Sequence, residues 1–326
     1  MPGIAAGVHA EGAKFYWHLG DFRANYDFDQ DLLSAPEYRG KHLAIGDYQR
    51  IEWDDFIQQQ IDPFGDVPVY LAIGNHELVP PKNRADYLQQ FVDWLDSPII
   101  HAQRLRDDPQ NHKLQTYYHW IQGGVDFVSL DNASHDQFDE AQLAWIERLL
   151  ARDENDSRVH SVVVGMHDAL PDSISAGHSM NESAQMEQSG RRVYRDLVAF
   201  RSKTKKYVYV LASHSHFLVE DAYNDACHPN ADSLLPGWIV GTAGAIRYRL
   251  PANLGGAKQA RTDVYGYLLG TVQANGEIRF AFKEVKSSDI PSRVLERYGS
   301  KQVQACFEEN KSPYAPAGPN CPASGN

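Results

Sequence analysis

Long apolar runs are what this 326-residue sequence most plainly lacks. No segment reaches the ~18 uninterrupted apolar residues of a membrane-crossing helix, so a helical span is excluded. A basic stripe is missing too. The formal charge is −12 at pH 7, which argues against bulk nucleic-acid binding because nothing would neutralise a phosphate backbone. A small phosphate ester, held locally by a cation, is compatible with that charge. The N-terminus, Met1 to Ala6, has no basic region ahead of a long apolar core and does not read as a signal peptide. Cysteine is scarce: Cys227, Cys306 and Cys321 stand at no zinc-like spacing. Cys306 and Cys321 flank a polar, proline-rich tail. In an exported protein a disulfide between them would fasten a segment unable to bury itself; in a reducing compartment the three are unrelated thiols.

Short apolar runs bounded by turn residues predict buried strands at 14–19, 67–73, 125–130, 159–164, 206–212 and 238–240. Runs 265–273 and 278–286 flank an Asn275-Gly276 turn and predict a hairpin. Helical periodicity covers 84–95, 139–151 (with Asp139 as cap) and 191–200. Strand–helix alternation followed by a β-rich end implies a layered α/β architecture. Residues 22–64 and 171–190 read as long connections, and 312–326 as a loosely ordered tail.

Four of the strands run into metal-ligating residue types: Gly20-Asp21, Gly74-Asn75-His76-Glu77, Gly165-Met166-His167-Asp168 and Ser213-His214-Ser215-His216. Ligands just past the carboxyl ends of strands converge on one edge of a sheet. A carboxylate, an amide oxygen and three imidazoles suit Zn, Mn or Fe better than Ca or Mg. A carboxylate can also bridge two cations roughly 3.5–4 Å apart. Each motif alone is weak, since Gly-Asp is commonly a turn and a lone histidine commonly a packed one. Their order, placement and ligand types together outweigh the bland reading.

On these motifs the sequence resembles the bacterial-type calcineurin-like metallophosphoesterases, over about Lys14 to Lys286. Ser213 stands where that family usually has glycine. The resemblance implies a four-layer α/β/β/α sandwich of two mixed β-sheets. It implies a domain over 1–290, with 291–326 as a C-terminal extension that a disulfide would tie down in an exported protein. By motif, Asp21 would bridge two transition metal ions. Asn75, His167 and His214 would complete the second metal site, and His216 would bind the first. His76 would be the general acid, with Glu77 orienting it, and a hydroxide made from water on the metals would be the nucleophile. Metals acidify bound water and neutralise phosphoryl oxygens, and a histidine titrating near neutrality can protonate an alkoxide. Purple acid phosphatases place a ligating tyrosine three residues after the bridging aspartate. Here that position is Ala24, and Tyr26 is out of register.

The family's first motif, Asp-x-His, is expected about 30 residues upstream of Gly20-Asp21, and no aspartate precedes Asp21. His9-Ala10-Glu11 is a poor substitute, being the end of a helix, and His18 reads as a packed or supporting residue. The expectation is an N-terminally incomplete chain lacking a first strand, with an incomplete first metal site. A missing upstream signal peptide would make the protein periplasmic or secreted. The alternative is a catalytically impaired single-metal relative acting as a binding or scaffold protein. A metal-dependent amide or lactone hydrolase shares the ligand types but rarely pairs Asn with His in this way. The expected partner is a small phosphate monoester or diester. Arg23, His178 and Arg247 are candidate substrate contacts, and surface or structural roles are open to each.

Overall fold

The computed structural model describes all residues except 27–28, 134–136, 224–226, 229–230 and 320–326. Among the described residues eleven strands form three sheets. The largest has seven strands in the order β3 (Tyr118–Gln122), β4 (Val125–Ser129), β5 (Ser161–Gly165), β6 (Tyr207–Ala212), β8 (Gly237–Val240), β7 (Leu218–Glu220) and β9 (Gln259–Arg261). β4, β5, β6 and β8 are parallel; β3 and β7 run against their neighbours. β1 (Tyr16–Leu19) pairs in parallel with β2 (Val69–Ala72), and β10 (Tyr265–Val272) forms an antiparallel hairpin with β11 (Ile278–Val285).

The central strands read as continuous Val-rich runs because both of their faces are covered. Val162 and Val164 of β5 point into a core shared with helices Glu140–Asn155 and Ala184–Thr204, including Leu143, Ile146, Val193 and Leu197. Val163, one residue out of phase, points into a second core with Tyr70, Trp120, Phe127, Tyr209 and Trp238. Strand periodicity of two thus builds both cores from one segment. That second core lies between the large sheet and the β1–β2 and β10–β11 pairs. Trp120 is its centre, fully buried and stacked on Tyr70 at 3.9 Å and on Phe127 at 5.1 Å. Beyond the small sheets lie helices Pro2–Glu11 and Ile45–Phe56, which bury Ile4, Val8, Trp53 and Phe56 in the same core. The layers are therefore helix, sheet, sheet, helix, as expected. The smaller sheet layer, however, is divided: β1–β2 and β10–β11 share no ladder among the described residues.

Other expectations need correction. The stretch 22–64 is not one connection, because Ile45–Phe56 is a helix followed by further helical turns to Phe64. Its apolar face was broken in sequence by Glu52 and Asp55, both buried and charge-paired with Lys82 and Arg23. The helix expected over 84–95 breaks at Phe91 into Arg84–Gln90 and Val92–Leu95. The connection 171–190 ends early: Ser183 caps the Met186 N–H and a helix runs from Ala184. Asp139 caps its helix as expected, accepting from the Gln142 N–H.

The C-terminal extension carries helices Ser292–Tyr298 and Ser300–Glu308. Its tail is fastened as far as it is described, with Ser312 N–H bonded to the Arg247 carbonyl and Gly177 N–H to that of Ala317. Cys306 is in no disulfide, so the expected Cys306–Cys321 bridge is not formed. Cys227 is disulfide-bonded, and Cys321 lies outside the described residues.

Candidate metal centre

Strand register brings the motif loops together. Leu19 lies opposite Ala72 in β1–β2, so the Asp21 and Asn75 loops leave side by side. Gly165 lies opposite Leu211 in β5–β6, which does the same for His167 and His214. The first two loops touch so closely that side chains are excluded at their glycines. A Cβ on Gly74 would lie 2.3 Å from the Asp21 nitrogen, and one on Gly20 would lie 2.5 Å from that of Gly74. Asp21 (φ 58°) and His214 (φ 54°) both adopt the left-handed conformation. Non-glycine residues pay strain there, and such strain concentrates at functional sites.

Four side chains meet at one point. His167 Nε2 lies 3.0 Å from Asp21 Oδ2, 3.0 Å from Asn75 Oδ1 and 3.0 Å from His214 Nδ1. His167 Nδ1 is 2.7 Å from the Leu19 carbonyl, which can only accept, so Nδ1 carries the proton and Nε2 presents a lone pair. With Nε2 unprotonated, lone pairs from a carboxylate, an amide oxygen and two imidazoles converge on one point. Ligand atoms about 3 Å apart suit a cation roughly 2.0–2.2 Å from each, and the mixed N/O set suits Zn, Mn or Fe. The residues fit a transition metal ion.

The electrostatics agree. Burial opposes charge on His167, but the Asp21 carboxylate outweighs it and pushes the imidazole up to about 9. A proton there substitutes for the cation. Burial and then the His167 charge hold His214 well below the usual histidine range. Burial works against ionisation of Asp21, yet the charges of His167 and His76 hold it well below the carboxylate range.

The supporting residues are as telling. Glu77 is fully buried, and its carboxylate accepts the N–H groups of Asp21, Phe22 and Gly74, each at 2.8 Å. His76 donates its backbone N–H to Asp21 Oδ1 at 3.1 Å. Its Nδ1 lies 3.2 Å from the Arg23 carbonyl, which leaves Nε2 on the metal side, 3.8 Å from Asp21 Oδ2. His216 stands outside the mutual reach of Asp21, His167 and His214 among the described residues. Its Nδ1 bonds the Ile246 carbonyl at 2.7 Å, so Nε2 is the ring nitrogen left for another partner. Burial holds His216 down to about 4, although the Asp21 charge raises it.

Sequence reading missed Asn132. It follows β4, is 1% exposed, and its Oδ1 accepts the N–H groups of both His167 and Asp168 at 3.1 Å. Its strand-end position was the available signal.

The candidate substrate contacts are less central. Arg23 is buried and paired with Asp55 beneath the site, so only its carbonyl reaches His76. Arg247 is 3% exposed and donates to the carbonyls of Asn310, Asp263, Cys306 and Phe307. It anchors the C-terminal segment. His178 does reach the site, with its ring stacked on His214 at 3.7 Å and 15°. His178, Glu182 and His214 also form a cluster of possible ligands. Stacked rings send their in-plane lone pairs side by side, so this second set fits one ion poorly. His18 is packed among Phe22 and Phe56, and His9 is bonded to the Pro63 carbonyl on an outer helix.

Comparison with known proteins agrees with this architecture. A family model described as calcineurin-like phosphoesterase matches residues 10–218. No curated protein matches the sequence. Among solved structures, the chain is similar to the purple acid phosphatase PPD1 from seeds of yellow lupin (Lupinus luteus). The identity is 18% and the TM-score 0.53, covering 89% of this chain and 47% of that one. It is also similar to PhoD, at 14% identity and TM-score 0.53, covering 93% of this chain and 74% of that one. The chain thus spans about half the length of the lupin enzyme, and at these identities the likeness is one of fold. The motif-bearing strands, the convergent ligands and the match over 10–218 place the chain in the calcineurin-like phosphoesterase family.

Proposed function

We propose that the protein hydrolyses phosphate monoesters or diesters at a metal centre built on Asp21, Asn75, His167 and His214, with Asp21 and His216 facing a second metal position. The observation that supports this reading is the convergence of Asp21 Oδ2, Asn75 Oδ1 and His214 Nδ1 at 3.0 Å from His167 Nε2, four ligand atoms that one cation can share. A bound cation would neutralise phosphoryl oxygens and acidify water there.

The chain's own residues supply the rest. Left-handed Asp21 and His214 aim their donors inward, and Glu77 locks the Asp21 and Gly74 loops together. The Arg23 carbonyl fixes the His76 tautomer so that Nε2 faces the reacting group. In the reaction water adds to phosphorus and gives up a proton to solvent, the bond to the leaving oxygen breaks, and His76, protonated on both ring nitrogens, gives that oxygen the Nε2 proton and is reprotonated from solvent.

The test compares a nitrophenyl ester with an alkyl ester after chelation and Mn²⁺ add-back. Both should be turned over with metal and neither without it. His76→Ala should slow the alkyl ester by about 10²–10⁴-fold, the usual contribution of a general acid. The nitrophenyl ester, whose leaving group needs little protonation, should suffer much less. A second reading, a single-metal binding protein, draws on His216 lying outside the Asp21–His167–His214 cluster. One metal per chain and no turnover of either ester would favour it.

A further inference from the structure

Tyr26 is out of register for a metal ligand, yet its position is closely determined. Asn25, fully buried, sits at φ 62° and donates its side-chain amide to the His76 carbonyl. The Asn25 carbonyl accepts from Gln49 Nε2 at 2.8 Å, and Tyr26 N–H bonds the Ala24 carbonyl at 2.8 Å. A buried, left-handed asparagine held at both ends turns the chain outward at one fixed point. The residue it presents is 64% exposed, with its ring 4.9 Å from the His76 ring at 54°.

Two more tyrosines border the ligands. Tyr248 stacks on His216 at 4.2 Å, and Tyr314, 42% exposed, meets Tyr248 at 5.0 Å and His178 at 5.7 Å. Tyr26 and Tyr248 are near enough for charge on one to be felt by the other. The rim of the centre therefore offers aromatic faces, and Tyr26 marks the His76 side, where a leaving group departs.

We propose that Tyr26 is a specificity-determining residue that stacks on a flat ring in the leaving group, so that the preferred substrates are phosphate esters of nucleosides or of aryl-bearing alcohols. This rests on the hydrolase reading above, with His76 on the leaving-group side. A ring on the departing alcohol lies within reach of the Tyr26 face, whereas an alkyl or bare sugar alcohol has no face to stack. Base–aromatic stacking tolerates many ring types because every flat ring has a π-face.

The experiment uses the Mn²⁺-loaded chain and two matched pairs with the same kind of leaving oxygen. One pair is adenosine 5′-monophosphate and ribose 5-phosphate; the other is benzyl phosphate and cyclohexylmethyl phosphate. Wild type should favour the ring-bearing member of at least one pair in kcat/KM. Tyr26→Ala should lower that value about tenfold and leave the ringless partner unchanged, while Tyr26→Phe keeps the preference. A preference confined to the nucleotide pair assigns a nucleobase; one confined to the benzyl pair assigns an aryl alcohol. Turnover of all four esters with equal losses, or none, in Tyr26→Ala overturns the proposal alone. No turnover of any of these four monoesters overturns the proposal, and the hydrolase reading falls with it only if nitrophenyl and alkyl phosphodiesters are not turned over either.

Discussion

Glu77 Oε2 accepts the backbone N–H of Asp21 at 2.8 Å across a sequence separation of 56 residues. The same side chain takes the N–H groups of Phe22 and Gly74, so one buried carboxylate holds the β1 and β2 loops in contact. Burial and the Asp21 charge push Glu77 up to about 7, against the pull of those three N–H donors. The placement of the Asp21 carboxylate beside His167 thus depends on a residue outside the convergent set.

Glu77→Gln places an amide NH₂ among N–H donors and should cost about 2–4 kcal/mol, since buried donors lose their acceptor. The denaturant midpoint and the metal content should both fall. A change under about 0.5 kcal/mol with full metal content would show that the loops hold without the brace.

Arg247→Ala should release the C-terminal segment, because three of its carbonyls lose their donor. We expect about 2–4 kcal/mol of destabilisation and faster proteolysis beyond residue 300, with metal content intact. A raised KM at unchanged stability would instead return Arg247 to the substrate.

Stability should fall at alkaline pH through a network remote from the metal. Burial opposes charge on His119, but Asp126 and Asp107 outweigh it and push it up to about 9. Its Nδ1 lies 2.8 Å from Asp126, Nε2 bonds Asp107, and Arg152 joins both carboxylates. A folded-state value above the ordinary 6.5 means that the contribution is complete below pH 6.5 and lost as pH rises through about 9. Burial and the neighbouring Asp126 also push Asp153 up to about 8, which acts in the same direction. Unfolding midpoints at pH 6 and 9.5 should differ clearly in wild type and less in His119→Gln; equal slopes would exclude His119 as the source.

Mutating the stacked histidine separates packing from ligation. His178→Ala should leave the metal content of the chain unchanged, measured by mass spectrometry, because its ring lies on His214 and not in the convergent set. Loss of metal in that variant would make His178 a ligand.

The motif loops were legible because strands ending in Gly-Asp, Gly-Asn-His and His-Ser-His carry both their structure and their chemistry in adjacent residues. β5 announced itself through Val162-Val163-Val164. β3, with Tyr118, Trp120 and Gln122, lacks the polar–apolar alternation of a half-exposed strand, and β9 spans only Gln259–Arg261. Helix Ile45–Phe56 was hidden by Glu52 and Asp55, whose burial is tolerable only because Lys82 and Arg23 arrive from elsewhere in the chain. Asn132 and the carbonyls of Leu19, Arg23 and Ile246 orient the site through contacts that exist only after folding. Arg247 read as either a substrate contact or a structural residue, and its partners, the carbonyls of Asp263, Cys306, Phe307 and Asn310, come into reach only on folding.

The most direct test of the central claim is metal content and ester turnover measured in one preparation of wild type, His167→Ala and His214→Ala. Wild type should hold at least one transition metal ion per chain and hydrolyse a phosphate ester only while it is bound, and each variant should lose both. Full metal content in His167→Ala, or metal-independent turnover in wild type, would contradict a catalytic centre at Asp21, Asn75, His167 and His214.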